Sequence, residues 1–368
     1  MRVGVPAETR PGERRVALVP DAVGKLVAEG LDVVVQSGAG RHAFAADDAY
    51  REAGATVVDG DVLAGADVVL TVSPLTVPQA QLLKPGALTL GFLPMNTNAD
   101  LLDALRERDV LAFAMELVPR ISRAQSMDAL SSQALVAGYR AALVAAERLP
   151  RFFPLFMTAA GTVAPARVLV LGAGVAGLQA IATARRLGAV VEAYDVRPAS
   201  ADEVRSMGAS FIDLELEALE GAGGYAREMA EDRAERQRQL LTPYVGNSDA
   251  VITTAAVPGR PAPLLVTTAM VEAMRPGSVL VDLAAESGGN CELSRPGEDV
   301  EHHGVLVHGL QDAPSAMAVH ASQLYARNVV NLLLLMTADG EVVPDFDDEI
   351  VAGCWVTRDG SVRDGVAS

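Results

Sequence analysis

The run Val168-Leu169-Val170-Leu171-Gly172-Ala173-Gly174-Val175-Ala176-Gly177 constrains this chain more than any other feature. Four apolar residues read as a buried strand. Three glycines in G-x-G-x-x-G order follow, and then a helical pattern, Leu178–Leu187, which Gly188 ends. Each glycine has its own duty. Gly172 permits the tight turn, Gly174 lets a pyrophosphate approach the backbone, and Gly177 lets helix and strand pack closely. The helix start then offers unpaired N–H groups and the positive end of a dipole to phosphate. The next strand ends in Tyr194-Asp195, with Asp195 placed 18 residues after Gly177. A carboxylate there accepts hydrogen bonds from ribose hydroxyls and repels a 2′-phosphate, which favours NAD over NADP. Arg197 runs against that preference, because a guanidinium can accept the phosphate.

The rest of the chain reads as a frame for such a site. Its 368 residues suit two domains, and with half of them apolar but only 4% aromatic the core must be mostly Ala, Val and Leu. Strand patterns at Arg2–Pro6, Asp32–Gln36, Ala66–Val72, Leu88–Phe92 and Val110–Met115 alternate with amphipathic helices at Asp21–Glu29 and Ala99–Arg108. A long Ala-rich helix, Asp128–Leu149, follows, with Ser126 or Asp128 as its cap. Pro150–Pro165 reads as a hairpin or loop. Further strands fall at Val190–Asp195, Ser210–Ile212, Ala250–Thr254, Ser278–Asp282 and Val305–His308. Between them lies a charged stretch, Glu217–Gln239, whose glycine-rich start at Gly221–Tyr225 reads as a mobile excursion. A last helix, Met317–Thr337, returns the chain to the first domain, and Arg358-Asp359-Gly360 signals a terminal hairpin. The pattern predicts an α/β fold of two doubly wound, Rossmann-like domains with parallel sheets, separated by a cleft. The first domain is expected to take 1–130 plus 315–368, and the second 131–314.

Composition removes several function classes. A formal net charge of -17 is unsuited to nucleic acid. The N-terminus lacks a signal-peptide pattern, and the longest apolar run, Val329–Met336, falls short of the ~20 residues a span requires, so the chain is expected not to enter a membrane itself. Cys291 and Cys354 fit neither a disulfide framework nor a zinc motif and are expected to be reduced core or loop residues. The five histidines, among them His302 and His303, show no ligand spacing, so no metal is expected. Ser287 lacks the flanking glycine of a nucleophile elbow. The acidic run Asp345–Glu349 reads as a solvated turn.

The polar segment Pro119–Asp128, taken alone, is a charged linker ending in a cap. With its neighbours it says more. Arg120 to Gln133, containing Arg-Ala-Gln-Ser-Met-Asp, resembles the signature loop of the NAD(H)-binding component of proton-translocating NAD(P) transhydrogenases. So do Gly223-Gly224-Tyr225-Ala226, Thr253-Thr254 with Pro258–Pro263, and Asp282–Cys291. The likeness runs from Val3 to about Gly360. It implies that Arg120, Asp128 and Ser131 hold the nicotinamide end of NAD(H), beside Ile121 and Ser122, and that Gln125 reaches toward NADP(H) on a partner. Tyr225 would sit on a loop closing over the nucleotide. Gly224, Gln237 and Ala256 would line the adenosine side with Val175, Asp195, Val196 and Arg197. The resemblance also implies a homodimer and a docked NADP(H)-binding component. Separate membrane-spanning subunits would hold the chain at the cytoplasmic face of the inner membrane.

The family's relative, alanine dehydrogenase, is the alternative. Amino-acid oxidation needs a cation for the carboxylate and a group that moves protons. Where that pattern has Lys and His, this chain has Ser73 and Pro94. Arg15 matches the relative's substrate-binding Arg but also reads as a surface or interdomain ion pair. Hydride transfer between two nicotinamides needs positioned rings and excluded water rather than an acid or base.

Overall fold

The computed structural model describes residues 1–214, 231–256 and 260–363. In chain order the first strands are β1 (Arg2–Val5), β2 (Asp32–Gln36), β3 (Thr56–Val58), β4 (Val68–Leu70), β5 (Leu88–Gly91) and β6 (Leu111–Ala114). Helices α1 (Pro20–Ala28), α2 (Asp47–Glu52), α3 (Val77–Leu82) and α4 (Ala99–Glu107) alternate with them, and α5 spans Ala129–Arg148. A hairpin, β7 (Phe156–Thr158) and β8 (Gly161–Val163), comes next. The second series is β9 (Arg167–Leu171), α6 (Val175–Arg186), β10 (Val190–Tyr194), α7 (Ser200–Ser206), β11 (Ser210–Phe211), α8 (Glu231–Gly246), β12 (Ala250–Thr253), α9 (Thr268–Glu272), β13 (Val279–Asp282), β14 (Asp299–His302) and β15 (Val305–Gly309). Helix α10 (Ala318–Leu335), a short β16 (Thr337–Ala338) and β17 (Glu341–Val342) pair, α11 (Glu349–Cys354), β18 (Trp355–Arg358) and β19 (Ser361–Val362) complete the chain.

Two compact units result: Met1–Gln133 with the return from Pro314 onward, and Ala134–Ala313. The boundary falls within α5. Each unit carries one Rossmann-like sheet. The first runs β3-β2-β1-β4-β5-β6 in parallel, extended by the antiparallel β18 and β19. The second runs β11-β10-β9-β12-β13-β15 in parallel, with the antiparallel β14 at its edge. Both orders reverse direction beside their first strand, which opens a crevice at the carboxyl ends of the strands. Among the described residues no helix is long and apolar enough to cross a membrane.

Strand composition explains the layering. A parallel sheet buried on both faces needs apolar residues at successive positions. In β9, Val168 and Val170 join one core while Leu169 and Leu171 join the other, and all four are essentially inaccessible. Small residues let the helices approach. Ala141, Ala142 and Ala145 of α5 are fully buried, and a Cβ on Gly138 would stand 2.0 Å from the Ala176 carbonyl oxygen of α6. Asp128, rather than the Ser126 side chain, caps α5. Its carboxylate accepts from the Ser131 N–H at 2.8 Å and the Ser131 hydroxyl at 2.5 Å. Ser126 offers its carbonyl oxygen to Asn328 and Asn331 instead. The acidic run is not wholly solvated either. Asp348 caps α11 through the Ile350 N–H and pairs with Arg123 at 2.6 Å. In the terminal hairpin Asp359 and Gly360 both take the left-handed backbone expected of such a turn.

One buried carboxyl makes stability depend on pH. Glu116 lies beyond β6 and accepts the Leu93 N–H on both oxygens, at 2.9 and 3.1 Å. Burial pushes it up to about 7, against a lowering by the backbone N–H groups it accepts. A carboxyl raised on folding favours the folded state below its unfolded value near 4.5, and that advantage is lost as pH rises through about 7. Urea denaturation of Glu116→Gln should match the parent at pH 5 and exceed it at pH 8, by on the order of 2 kcal/mol. A difference independent of pH would contradict this.

Candidate nucleotide site

Strand β9 delivers the chain to the switch point of the second sheet at Gly172, whose φ of 102° suits glycine. A Cβ there would meet the Thr254 hydroxyl at 2.7 Å, and that hydroxyl donates to the Gly172 carbonyl at 3.0 Å. Gly177 is pinned harder, since a Cβ would lie 1.8 Å from the Gly172 carbonyl oxygen. Gly174 is different. It is the N-cap of α6 with extended backbone and no side-chain cap, and a Cβ on it would meet nothing within 4 Å. Packing therefore accounts for Gly172 and Gly177 but not for Gly174. An uncapped helix start facing open space fits the pyrophosphate of a dinucleotide.

Asp195 stands at the end of the neighbouring strand. Its Oδ2 accepts the Ala173 N–H at 2.7 Å, which ties the carboxylate to the glycine turn. Its Oδ1 accepts the Arg197 N–H at 2.8 Å and Nε at 3.0 Å. The Arg197 guanidinium, its basicity raised by this bond, is thus engaged by the same carboxylate that would exclude a 2′-phosphate. Val175 is exposed and Val196 half-buried beside the turn, Ala256 is exposed, and Gln237 is buried in α8. Gly224 and Tyr225 lie outside the described residues.

Two polar residues that sequence reasoning did not single out as ligands or supports shape the adjoining loops. Asp282, fully buried at the end of β13, accepts the Thr253 hydroxyl and the N–H groups of Ala284, Asn290 and Cys291 at 2.8–3.1 Å. Asn290, also fully buried, bonds the Ala255 N–H and carbonyl and the Pro263 carbonyl. Asp282 thus has four donors, the compensation a buried carboxylate requires. The readable signal was an acid directly after an apolar strand, followed eight residues later by an Asn.

In the first unit, residues 120–131 form a short 3₁₀ turn, Ser122–Met127, and the start of α5. Ala124 and Met127 are buried anchors, whereas Arg120, Ser122 and Gln125 are exposed and Ile121 packs partly against the core. Asp128 and Ser131 are already bonded to one another.

The crevice beside β1 is built differently. Glu8 accepts the N–H groups of Val72 and Ser73 at 2.6 and 3.1 Å, and burial raises it to about 7. Glu13, with an inaccessible side chain, holds the Arg15 guanidinium at 2.8 and 2.7 Å and accepts from Ser73 and Ser315. Arg15 also donates to Gln133 at 2.9 Å. Arg15 is therefore neither a surface nor an interdomain ion pair. It is an internal pair of the first unit, and these bonds hold its Glu13 carboxyl well below the usual range. Cys291 and Cys354 are buried thiols, each pushed up to about 12 by burial.

Two of these glycines separate ligand from fold. Gly174→Ala should leave the melting temperature unchanged and weaken NADH at least about 10-fold, as a methyl enters the phosphate's approach. Gly177→Ala should cost about 1–3 kcal/mol or more of stability. Calorimetry with NADH fluorescence titration checks both, and equal stability losses at the two positions would refute the assignment.

Residues 4–137 match the model of the alanine dehydrogenase/PNT N-terminal domain, and residues 141–365 that of the alanine dehydrogenase/PNT C-terminal domain. The first segment of the NAD(P) transhydrogenase alpha subunit of Rhodospirillum rubrum, a separate polypeptide, is 49% identical over 374 residues, covering 98% of this chain and 97% of the relative. A transhydrogenase crystal structure from Sinorhizobium meliloti superposes with a TM-score of 0.87 at 42% identity, covering 98% of both chains. An L-alanine dehydrogenase structure follows at a TM-score of 0.82 and 26% identity, covering 98% and 96%. The chain belongs to the alanine dehydrogenase/PNT family, on the side of its NAD(P) transhydrogenase alpha subunits.

Proposed function

We propose that the chain is the NAD(H)-binding component of a proton-translocating, Re/Si-specific NAD(P)+ transhydrogenase. In this reading it presents NADH for hydride transfer to NADP+ held by a partner subunit, with proton translocation carried by membrane-spanning subunits. The observation that carries it is the uncapped, open start of α6 at Gly174 beside Asp195. Backbone N–H groups there take the pyrophosphate, and Asp195 takes the adenine ribose with Val175, Val196, Arg197, Gly224, Gln237 and Ala256 around it. Arg120, Asp128 and Ser131, with Ile121, Ser122 and Tyr225, hold the nicotinamide end. The bound dihydronicotinamide supplies the hydride; the chain's residues position it and exclude water. Gln125, exposed on the 3₁₀ turn, faces outward to the partner's NADP(H).

Arg15 speaks against the alanine dehydrogenase reading. Two of its nitrogens are committed to Glu13 and a third to Gln133, and Ser73 stands where a Lys would complete a carboxylate pocket. Assembly as a homodimer is supported by the β7–β8 hairpin, on and before which Phe152, Leu155, Phe156, Met157 and Val163 are exposed. The subunit's place is the cytoplasmic face of the inner membrane, through its partners.

Hydride transfer from NADH to a thio-analogue of NADP+ should appear only when an NADP(H)-binding component is added. Gln125→Asn should lower that rate by about 10- to 100-fold through misplaced rings and leave NADH binding intact. NADH oxidation on pyruvate and ammonium, with no transfer to the analogue, would overturn the reading.

A further inference from the structure

The histidines carry no ligand spacing along the chain, yet the fold gathers two of them with a carboxylate. His302 ends the edge strand β14, and its Nε2 lies 2.9 Å from Glu272 Oε1. His303 Nε2 lies 3.7 Å from the same oxygen, and the three ligand atoms all fall within 4.8 Å of one another. The two imidazoles stack at 4.7 Å between centroids. Adjacent residues of a strand point to opposite faces, so this requires a break in the strand geometry. The break is visible. His303 has a φ of 52° and Gly304 one of 74°, the two left-handed positions of the hairpin turn into β15.

The turn is also held in place against the segment that follows α9. The Gly277 N–H donates to the Gly304 carbonyl at 2.7 Å, and a Cβ on Gly304 would meet Pro276 at 3.1 Å. Glu272 is the last residue of α9, so the helix end and the hairpin turn present their donors to one another from fixed backbones. All three side chains reach solvent, which leaves an ion a way in. The turn lies at the amino end of β15 in a parallel sheet, whereas Gly172 follows the carboxyl end of β9. The cluster is therefore at the opposite end of this sheet from the glycine turn.

We propose that Glu272, His302 and His303 form a binding site for a divalent transition metal of the zinc class, which clips the β14–β15 turn to α9. Two neutral imidazoles and one carboxylate are a donor set that such ions accept, with water completing a tetrahedron. Ligand atoms of one tetrahedral zinc ion stand about 3.3 Å apart, so shifts of side chains alone close the set. No step of the hydride chemistry passes through it. A metal bound only by the folded chain raises its stability by mass action.

The test titrates the full chain with Zn2+ by calorimetry, and with Co2+ by absorption. One equivalent should bind with micromolar affinity, a tetrahedral Co2+ spectrum should develop, and the melting temperature should rise by roughly 5 °C at ~100 times Kd. His303→Asn keeps a residue suited to the left-handed turn and removes a ligand. It should weaken Zn2+ at least about 10-fold, as should Glu272→Gln, while NADH binding stays unchanged. Absence of saturable binding below millimolar Zn2+ overturns the proposal. So does an affinity that neither substitution lowers, which would place the metal elsewhere.

Discussion

The structure of the second unit depends on backbones brought closer than any side chain permits. At the start of α6, Gly177 lies against the Gly172 carbonyl and Ala176 against Gly138 of α5. No residue but glycine fits at 177 or 138 without displacing backbone. This contact fixes the direction of α6 relative to β9, and hence the direction in which its first N–H groups point. Gly174 then gains its meaning by contrast, because nothing in the chain occupies the space that its missing side chain leaves. A ligand site here is a consequence of packing: the same contacts that hold the helix also leave its uncapped end open.

The two sheets share one strand order and so offer two equivalent crevices, but their charges are arranged in opposite ways. Beside β9 the helix start is uncapped, and the one carboxylate described at the turn, Asp195, anchors it through Ala173. Beside β1 the loops satisfy themselves. Glu8 takes the Val72 and Ser73 N–H groups, and Glu13 neutralises Arg15. Removing either member of such a pair would leave a buried charge without its partner, which is why the pair persists as a unit. In the alanine dehydrogenase relatives the matching Arg is expected to meet a substrate carboxylate. Here a carboxylate of the chain itself fills that role.

Much of this was legible in the sequence because it is local. The strand–glycine–helix–strand–acid order of residues 168–195 is set by neighbours in the chain, and the structure places those elements within a few residues of where the pattern puts them. The short α2, α3 and β3, the edge strand β14 and the short α9 were not anticipated. Each has six residues or fewer, too few to establish a period, and is held by tertiary contacts. What depends on distant residues was not legible either. The partner of Arg15 was open until Glu13, Gln133 and Ser315 were seen together, and Asp282 drew its donors from 29 residues before to 9 after. His302, His303 and Glu272 are the same case: 30 residues separate the carboxylate from the first imidazole, and a left-handed turn brings the second alongside.

On this reading the turn from Gly172 to Gly177, with Asp195, is an NAD(H) site that rejects a 2′-phosphate. Fluorescence titration of NADH and NADPH against the parent chain and Asp195→Ala tests that directly. The parent should bind NADH at least about 10-fold more tightly than NADPH, and the substitution should bring the two affinities together as Arg197 is freed from its carboxylate. Equal affinities in the parent, or a preference that survives the loss of Asp195, would contradict it.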